Sequence, residues 1–266
     1  MRIGADIGGS AVKLVCADDN NRILSRRRYA TDGDLAHFER ELSLLLNRQS
    51  LDGISITVSG VGSKMLEKRK ADYNVRYISE FEAFGRGAQI LSGRENALVV
   101  SMGTGTAFVM AHGDVYEHIG GSGIGGGALC GLSLLTTGVA DIYNIKDMTA
   151  LGDTTKVDLT VGDISVGDTG LAADLTAANF GKASLDDDNN DIAAGLANMI
   201  YQSVGVMAAF ALKGTDLDTV VFVGAMSEFP VGAQMMKNVG DLHGYSFIMP
   251  AGGAFAGALG CASAAG

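Results

Sequence analysis

A glycine turn between two short apolar strands occurs twice in this chain, and the repeat constrains the fold more than any other feature. The first copy is Ile3-Gly4-Ala5-Asp6-Ile7-Gly8-Gly9-Ser10-Ala11-Val12-Lys13-Leu14-Val15. The second is Val99-Val100-Ser101-Met102-Gly103-Thr104-Gly105-Thr106-Ala107-Phe108-Val109. Glycine reaches φ > 0 and lets backbone N–H groups approach an anion with no Cβ in the way. One such turn is an ordinary hairpin. Two, opening the two halves of one chain, indicate a duplicated βββα unit that grips a polyphosphate between its halves.

The rest of the chain fits that duplication. Residue spacing predicts strands over 2–7, 11–17 and 22–29. A helix over 34–49 follows, with Leu35, Phe38, Leu42, Leu45 and Leu46 on one face, then a strand from Gly53 to Ser59 and a short one at 76–78. The second half predicts strands near 97–101, 105–111 and 114–118, a helix over 127–137 and a helical insert over 139–160. A helix over 191–213, strand 219–223, helix 228–239, strand 246–248 and a glycine-alanine helix over 253–265 complete it. Strands followed by helices, given twice, indicate an α/β protein of two related lobes, 1–95 and 96–266, with a ligand cleft between them.

Composition narrows the partners. The 266 residues are 47% hydrophobic, enough for a sizeable core, and the formal net charge of −10 argues against nucleic acid or an anionic membrane as the main partner. The basic run Arg26-Arg27-Arg28 reads as the solvated face of a strand. With no apolar run of membrane-spanning length and no signal-peptide pattern, a cytoplasmic protein is expected. Cys16, Cys130 and Cys261 are far apart and read as buried thiols; His37, His112, His118 and His243 lack zinc-ligand spacing. The 38 glycines cluster at turns and helix starts, which suits a nucleotide site better than a linker.

Six segments carry candidate chemistry. Asp6, at a strand end beside Gly8-Gly9-Ser10, can hold Mg²⁺ against phosphates on the turn, or simply cap its own turn. Gly103-Thr104-Gly105-Thr106 adds hydroxyls for a phosphate or an acceptor. Gly120-Gly121-Ser122-Gly123-Ile124-Gly125-Gly126-Gly127 runs into a helix, where N-terminal amides and the dipole favour an anion; it is not a P-loop, lacking Gly-Lys-Ser/Thr. Phe222-Val223-Gly224-Ala225-Met226-Ser227 ends a strand in small residues. Ala251-Gly252-Gly253-Ala254-Phe255-Ala256-Gly257-Ala258-Leu259-Gly260 forms the last helix, where small residues either admit an adenine or serve close packing. Ser79-Glu80-Phe81-Glu82 starts a helix; its acids either answer the helix dipole or take a proton from an acceptor hydroxyl.

Taken together these segments resemble the actin, sugar-kinase and heat-shock ATPase superfamily, and within it the short bacterial type II pantothenate kinases. The resemblance rests on Asp6-Ile-Gly-Gly-Ser with Lys13, Glu80-Phe81-Glu82-Ala83, Gly103-Thr-Gly-Thr, Gly120-Gly121 before Gly125-Gly-Gly, Asp174-Leu-Thr-Ala-Ala-Asn-Phe-Gly181 and Gly253-Ala-Phe-Ala-Gly-Ala-Leu-Gly260. It spans essentially the whole chain, in order. It implies two ribonuclease-H-like lobes (a duplicated βββαβαβα) with ATP and Mg²⁺ in the cleft, and transfer of the γ-phosphoryl to the primary hydroxyl of pantothenate, the first step toward coenzyme A. Glu80 is implied as general base and Asp6 as the residue at the metal. The resemblance implies nucleotide contacts at Gly8, Gly9, Ser10, Lys13, Gly103, Thr104, Gly105, Gly125, Gly126, Gly127, Gly224, Ala225 and Gly253. The acceptor falls to Thr104, Thr106, His118 and Gly120. A homodimer is implied, with helix 191–213 apolar enough to serve an interface.

The acceptor half departs from the pattern. Where the family has Arg-Val-Gly-Gly, this chain has His118-Ile119-Gly120-Gly121, and histidine cannot make arginine's bidentate fork. Met249-Pro250-Ala251 also replaces an aromatic and acid-amide segment. Alternatives are a sugar or amino-sugar kinase, which usually uses an Asp base, and a degenerate ATP-binding regulator. An ATPase activator of a radical dehydratase would need cysteines for a cluster, which isolated Cys16, Cys130 and Cys261 do not supply.

Overall fold

The computed structural model describes residues 1–66, 73–167, 170 and 172–265. Strands β1 (Arg2–Ile7), β2 (Ala11–Ala17) and β3 (Ile23–Ala30) form an antiparallel meander, followed by α1 (Leu35–Leu46). Asp34 caps that helix by accepting from the Ala36 amide. The helix stops three residues short of expectation because Asn47 turns left-handed at φ 51°. Next come β4 (Ser55–Ser59), β5 (Asn74–Tyr77) and α2 (Glu80–Ser92). The first sheet has the order β3-β2-β1-β4-β5, with β4 parallel to β1.

The second half repeats it. Strands β6 (Asn96–Met102), β7 (Thr106–His112) and β8 (Val115–Ser122) form a second meander, then α3 (Gly126–Thr137). The expected insert breaks into α4 (Ile142–Leu151) and a short strand β9 (Leu159–Thr160). After α5 (Val161–Ile164), β10 (Thr176–Ala178) pairs with β9 as a separate two-stranded sheet. Elements α6 (Asn189–Leu212), β11 (Thr219–Val223), α7 (Pro230–His243), β12 (Ser246–Ile248) and α8 (Ala256–Ser263) complete the chain. The second sheet has the order β12-β11-β6-β7-β8, the first sheet's order given again in its own strands. The duplicated α/β architecture inferred from the two turns is therefore the architecture observed.

Packing stacks six layers. Phe38, Leu42 and Leu45 of α1 cover one face of the first sheet with Ile3, Ala5, Ile7, Leu14, Ile56 and Val58. Helix α8 covers the other face, through Ala258, Leu259 and Ala262 against Val15 and Ala17. Phe84 and Ala88 of α2 lie on the inner face of the second sheet with Val99, Val109, Val221 and Val223. The outer face carries α3, α6 and α7 around Leu98, Val100, Phe222, Tyr201 and Met236. Between the sheets α8 and α2 touch directly. A Cβ on Gly260 would collide with the Ala83 carbonyl, and one on Gly87 with the Ala256 carbonyl.

One expectation changes here. The arginine run on β3 is not a bare solvated face. Arg27 pairs with Glu41 at 2.5 Å, Arg28 reaches Glu228 across the lobes at 3.7 Å, and Arg26 lies 4.8 Å over the Phe255 ring. Helix α6 puts Leu196, Ile200, Tyr201, Val204 and Leu212 in the core, leaves Ile192, Met199 and Met207 half-buried and exposes Phe210. Among the described residues it is also the one helix long and apolar enough by itself to cross a membrane, and 61% of that stretch is buried inside the protein. Cys16 and Cys261 are buried thiols, while Cys130 is half-buried.

Candidate active site

Alternation along the first sheet puts its apolar residues toward α1 and a polar row toward the cleft. Ile3, Ala5 and Ile7 of β1 point to α1, so Asp6 points the other way. Register then sets Lys13 of β2 and Ser59 of β4 on either side of Asp6. Lys13 Nζ donates to Asp6 Oδ2 at 3.2 Å. Gly257 of α8 makes room for this carboxylate, since a Cβ there would lie 2.9 Å from Asp6 Oδ2. Facing the row is Glu80, the first residue of α2, capped by Ser79, whose Oγ accepts from the Glu82 amide at 3.0 Å. Together with Ser101 these residues line a small cavity of about 30 Å³.

The two acids of the Glu80-Phe81-Glu82 motif separate cleanly. Glu82 accepts from Arg86 Nε at 2.9 Å and is committed to that ion pair. Glu80 makes no ion pair or side-chain hydrogen bond among the described residues. Its carboxyl is held above the ordinary glutamate range, first by desolvation and then by the negative charge of Asp6, with Lys13 pulling the other way. A carboxyl of that kind at a cleft edge has the character of a proton acceptor.

The two phosphate turns meet. Ser10 Oγ and Thr104 Oγ1 share a 2.7 Å hydrogen bond across the lobes. The Gly8 amide closes its own hairpin on Ala11 O at 3.1 Å, and the Gly103 amide donates to Gly105 O at 2.9 Å. Among the described residues, the amides of Gly9, Ser10, Thr104 and Gly105 make no backbone hydrogen bond. Such amides suit a phosphate. The glycine-rich run divides: Gly120 and Gly121 belong to β8, at an irregularity in its pairing with β7, and only Gly125–Gly127 start α3. The Gly126 and Gly127 amides donate to Gly103 O and Thr104 O, each at 2.8 Å. Those two amides therefore brace the second turn and are not directed at a ligand. A Cβ on Gly125 would press against Gly105 at 2.9 Å, which is why glycine stands there.

Thr106 does not reach the cleft. It is 4% exposed and its hydroxyl donates to Ile124 O at 2.7 Å, so the chain uses it to hold the glycine loop. Gly224 turns at φ 94° against Met102, Ala225 opens a short 3₁₀ turn, and the Gly224 amide donates to Gly253 O at 3.0 Å. Gly253 abuts Ser227 and lines the cavity with Gly224. Beyond them, residues 256–260 pack closely against Gly4, Ala83 and Gly87. His118 is exposed and stacks on Phe81, ring centroids 4.1 Å apart and planes 9° from parallel, so it flanks the residue next to Glu80. Ser59 and Ser101 escaped the sequence reading. The available signal was polar Thr57 and Ser59 alternating with Ile56 and Val58 in β4.

A metal here would have few protein ligands. No cluster of three or more His, Cys, Asp or Glu side chains occurs among the described residues. One hard carboxylate beside free turn amides does suit Mg²⁺, which keeps several waters and leans on substrate phosphates.

Solved structures carry the same two lobes. An activator of 2-hydroxyisocaproyl-CoA dehydratase from Clostridium difficile, with bound ADPNP, matches 99% of this chain and 93% of its own at a TM-score of 0.66 and 17% identity. A ROK family glucokinase from Streptomyces griseus, in complex with glucose and AMPPNP, matches 99% and 98% at 0.64 and 14%. The fold is thus the two-lobed α/β fold of these neighbours, with the candidate site in the cleft between the lobes. Within that class the chain belongs to the Fumble family, whose model matches residues 29–238, and by family it is an ATP-dependent small-molecule kinase. A type II pantothenate kinase of Bacillus anthracis is 28% identical over 235 residues, 84% of this chain and 82% of that protein. Another, from Staphylococcus epidermidis, is 28% identical over 274 aligned positions, 98% of each.

Proposed function

We propose that the chain phosphorylates the primary hydroxyl of pantothenate from Mg-ATP, the first step toward coenzyme A, with Glu80 as general base. The observation that carries this is Glu80 itself: an unpaired carboxyl of raised pKa, at a helix start, facing the Asp6–Lys13 pair beside two glycine turns. Asp6 would hold the hydrated Mg²⁺, and Lys13 orients that carboxylate. The amides of Gly9, Ser10, Thr104 and Gly105 would receive phosphate oxygens, with Gly125–Gly127 bracing the second turn, while Gly224, Ala225 and Gly253 border the nucleotide. Bound Mg²⁺ supplies charge neutralisation on the phosphates. The chain supplies orientation and a place for the acceptor's proton.

The acceptor lies toward Thr104, Gly120 and the Phe81–His118 stack in this reading. A stacked imidazole lacks the fork with which a guanidinium grips a carboxylate, and that contact is worth about 1.5–3 kcal/mol when charge-assisted. The expected result is a high pantothenate KM that falls in His118→Arg. The protein works in the cytoplasm as a homodimer in this reading, with Leu134 and Leu135 of α3 and Leu151 of α4 among its exposed apolar residues. A coupled ADP-release assay with Mg-ATP, pantothenate and a panel of hydroxylated acids, amides and amino sugars tests the whole. Phosphorylation of another acceptor with none of pantothenate would leave the kinase and remove the substrate.

A further inference from the structure

The second glycine turn is held from outside by its carbonyls. The Gly126 and Gly127 amides donate to Gly103 O and Thr104 O, each at 2.8 Å. A trans peptide sets its C=O and N–H on opposite sides of one plane, so a pinned carbonyl fixes the direction of the amide that follows it. Those following amides are Thr104 and Gly105, two of the four that make no backbone hydrogen bond among the described residues. At the first turn a single residue outside the hairpin supplies both bonds. Thr31 Oγ1 donates to Gly8 O at 2.8 Å, and the Thr31 amide donates to Ser10 O at 3.1 Å. The amide that follows the pinned Gly8 carbonyl is Gly9, another of the four. Thr31 is anchored in its turn. It sits between the end of β3 and the start of α1, where Asp32 accepts from the Asp34 amide at 2.9 Å and meets His37 Nδ1 at 2.5 Å. Asp34 caps α1, and Phe38 and Leu42 bury that helix in the lobe's core.

We propose that Thr31 is a positioning residue for the nucleotide's phosphates, its hydroxyl fixing the Gly8–Gly9 peptide so that the Gly9 amide is set for an anion before one binds. This rests on the first turn receiving phosphate, as proposed above. The hydroxyl carries the effect, and the amide does not. The Thr31 amide only continues the β2–β3 ladder past the Ala11–Ala30 pair, a bond that any residue but proline makes. A donor to Gly8 O needs the side chain. Consecutive glycines have wide conformational freedom, so without that outside bond the peptide between Gly8 and Gly9 turns its amide in many directions. Binding must then order it, and the loss falls on affinity for ligands that carry phosphate. Thr31 thus gives the first turn what the start of α3 gives the second.

Titration of the full chain with Mg-AMPPNP by calorimetry, and with adenosine by NMR, tests the assignment in Thr31→Val, Thr31→Ser and Gly9→Asp. Thr31→Val keeps the shape and removes the donor. It should weaken Mg-AMPPNP about tenfold, near the worth of one hydrogen bond, and leave adenosine, which has no phosphate, at its wild-type affinity. Thr31→Ser, which keeps the hydroxyl, should restore the Mg-AMPPNP affinity. Wild-type affinity in Thr31→Val overturns the proposal, as does a Thr31→Ser protein as weak as Thr31→Val. Equal weakening of both ligands also overturns it, since that marks a general loosening of the lobe. Gly9→Asp puts a carboxylate where an added Cβ meets nothing within 4 Å, so it repels phosphate without crowding the turn. If Gly9→Asp weakens Mg-AMPPNP alone and Thr31→Val does not, the turn binds phosphate without help from Thr31. If neither weakens it, the first turn is not a phosphate site, and that part of the kinase reading falls with the proposal. Should Thr31→Val fail to fold, Thr31→Ala carries the same comparison.

Discussion

At the scale of single residues, the division of labour between Glu80 and Glu82 is the sharpest statement the structure makes. Replacing Glu80 by Gln keeps shape and removes basicity, so turnover should fall by about 10²–10⁴ with ATP affinity unchanged, as read by single-turnover kinetics and nucleotide titration. Glu82→Gln should cost far less, since its carboxylate answers Arg86. The raised pKa of Glu80 also has a stability sign. Folding holds its proton more tightly than the unfolded chain does, so stability is lost as pH rises from the unfolded pKa through the folded one. Glu80→Gln should therefore melt at or above wild type at pH 7, with the gap closing below the ordinary glutamate range. A Glu80→Gln protein clearly less stable at neutral pH would contradict this. Asp6→Asn should raise the Mg²⁺ concentration needed for half-maximal activity, because an amide is a poorer partner for a hydrated hard cation; unchanged metal dependence would leave Asp6 only as the partner of Lys13.

Secondary-structure elements explain why some of the site was legible in the sequence and some was not. Asp6, Gly8 and Glu80 sit where a strand or helix visibly ends, so local pattern finds them. Ser59 becomes a neighbour of Asp6 only through the β1–β4 register, which no local window contains. Thr106 and the Gly126 and Gly127 amides read as ligand groups because glycine-rich turns that bind anions and those that brace a neighbouring turn share one composition. The α2–α8 contact makes the complementary point. Its glycines read equally as adenine space or as packing, and the Ala83 carbonyl against Gly260 decides for packing. Gly260→Ala should lower stability by about 1–3 kcal/mol or more by overpacking, in denaturant melts, and should also reduce turnover because α2 carries Glu80.

For the whole molecule, contacts that bridge the lobes are few and polar at the cleft mouth and many and apolar behind it. The Ser10–Thr104 hydrogen bond and the Arg28–Glu228 pair span the opening. The ion pair is partly exposed, so Arg28→Ala should change stability by less than about 1 kcal/mol and the melting temperature by less than about 4 °C. A larger drop would mean that Arg28 also matters through Tyr143, over whose ring it lies at 5.6 Å. Behind the cleft, helix α8 supplies the inner cover of the first sheet although it is the last helix in the chain. On a ribosome, therefore, the strands made first wait with their inner face uncovered until α8 has emerged. The amino-terminal lobe cannot mature ahead of its partner, and the two halves must finish folding together.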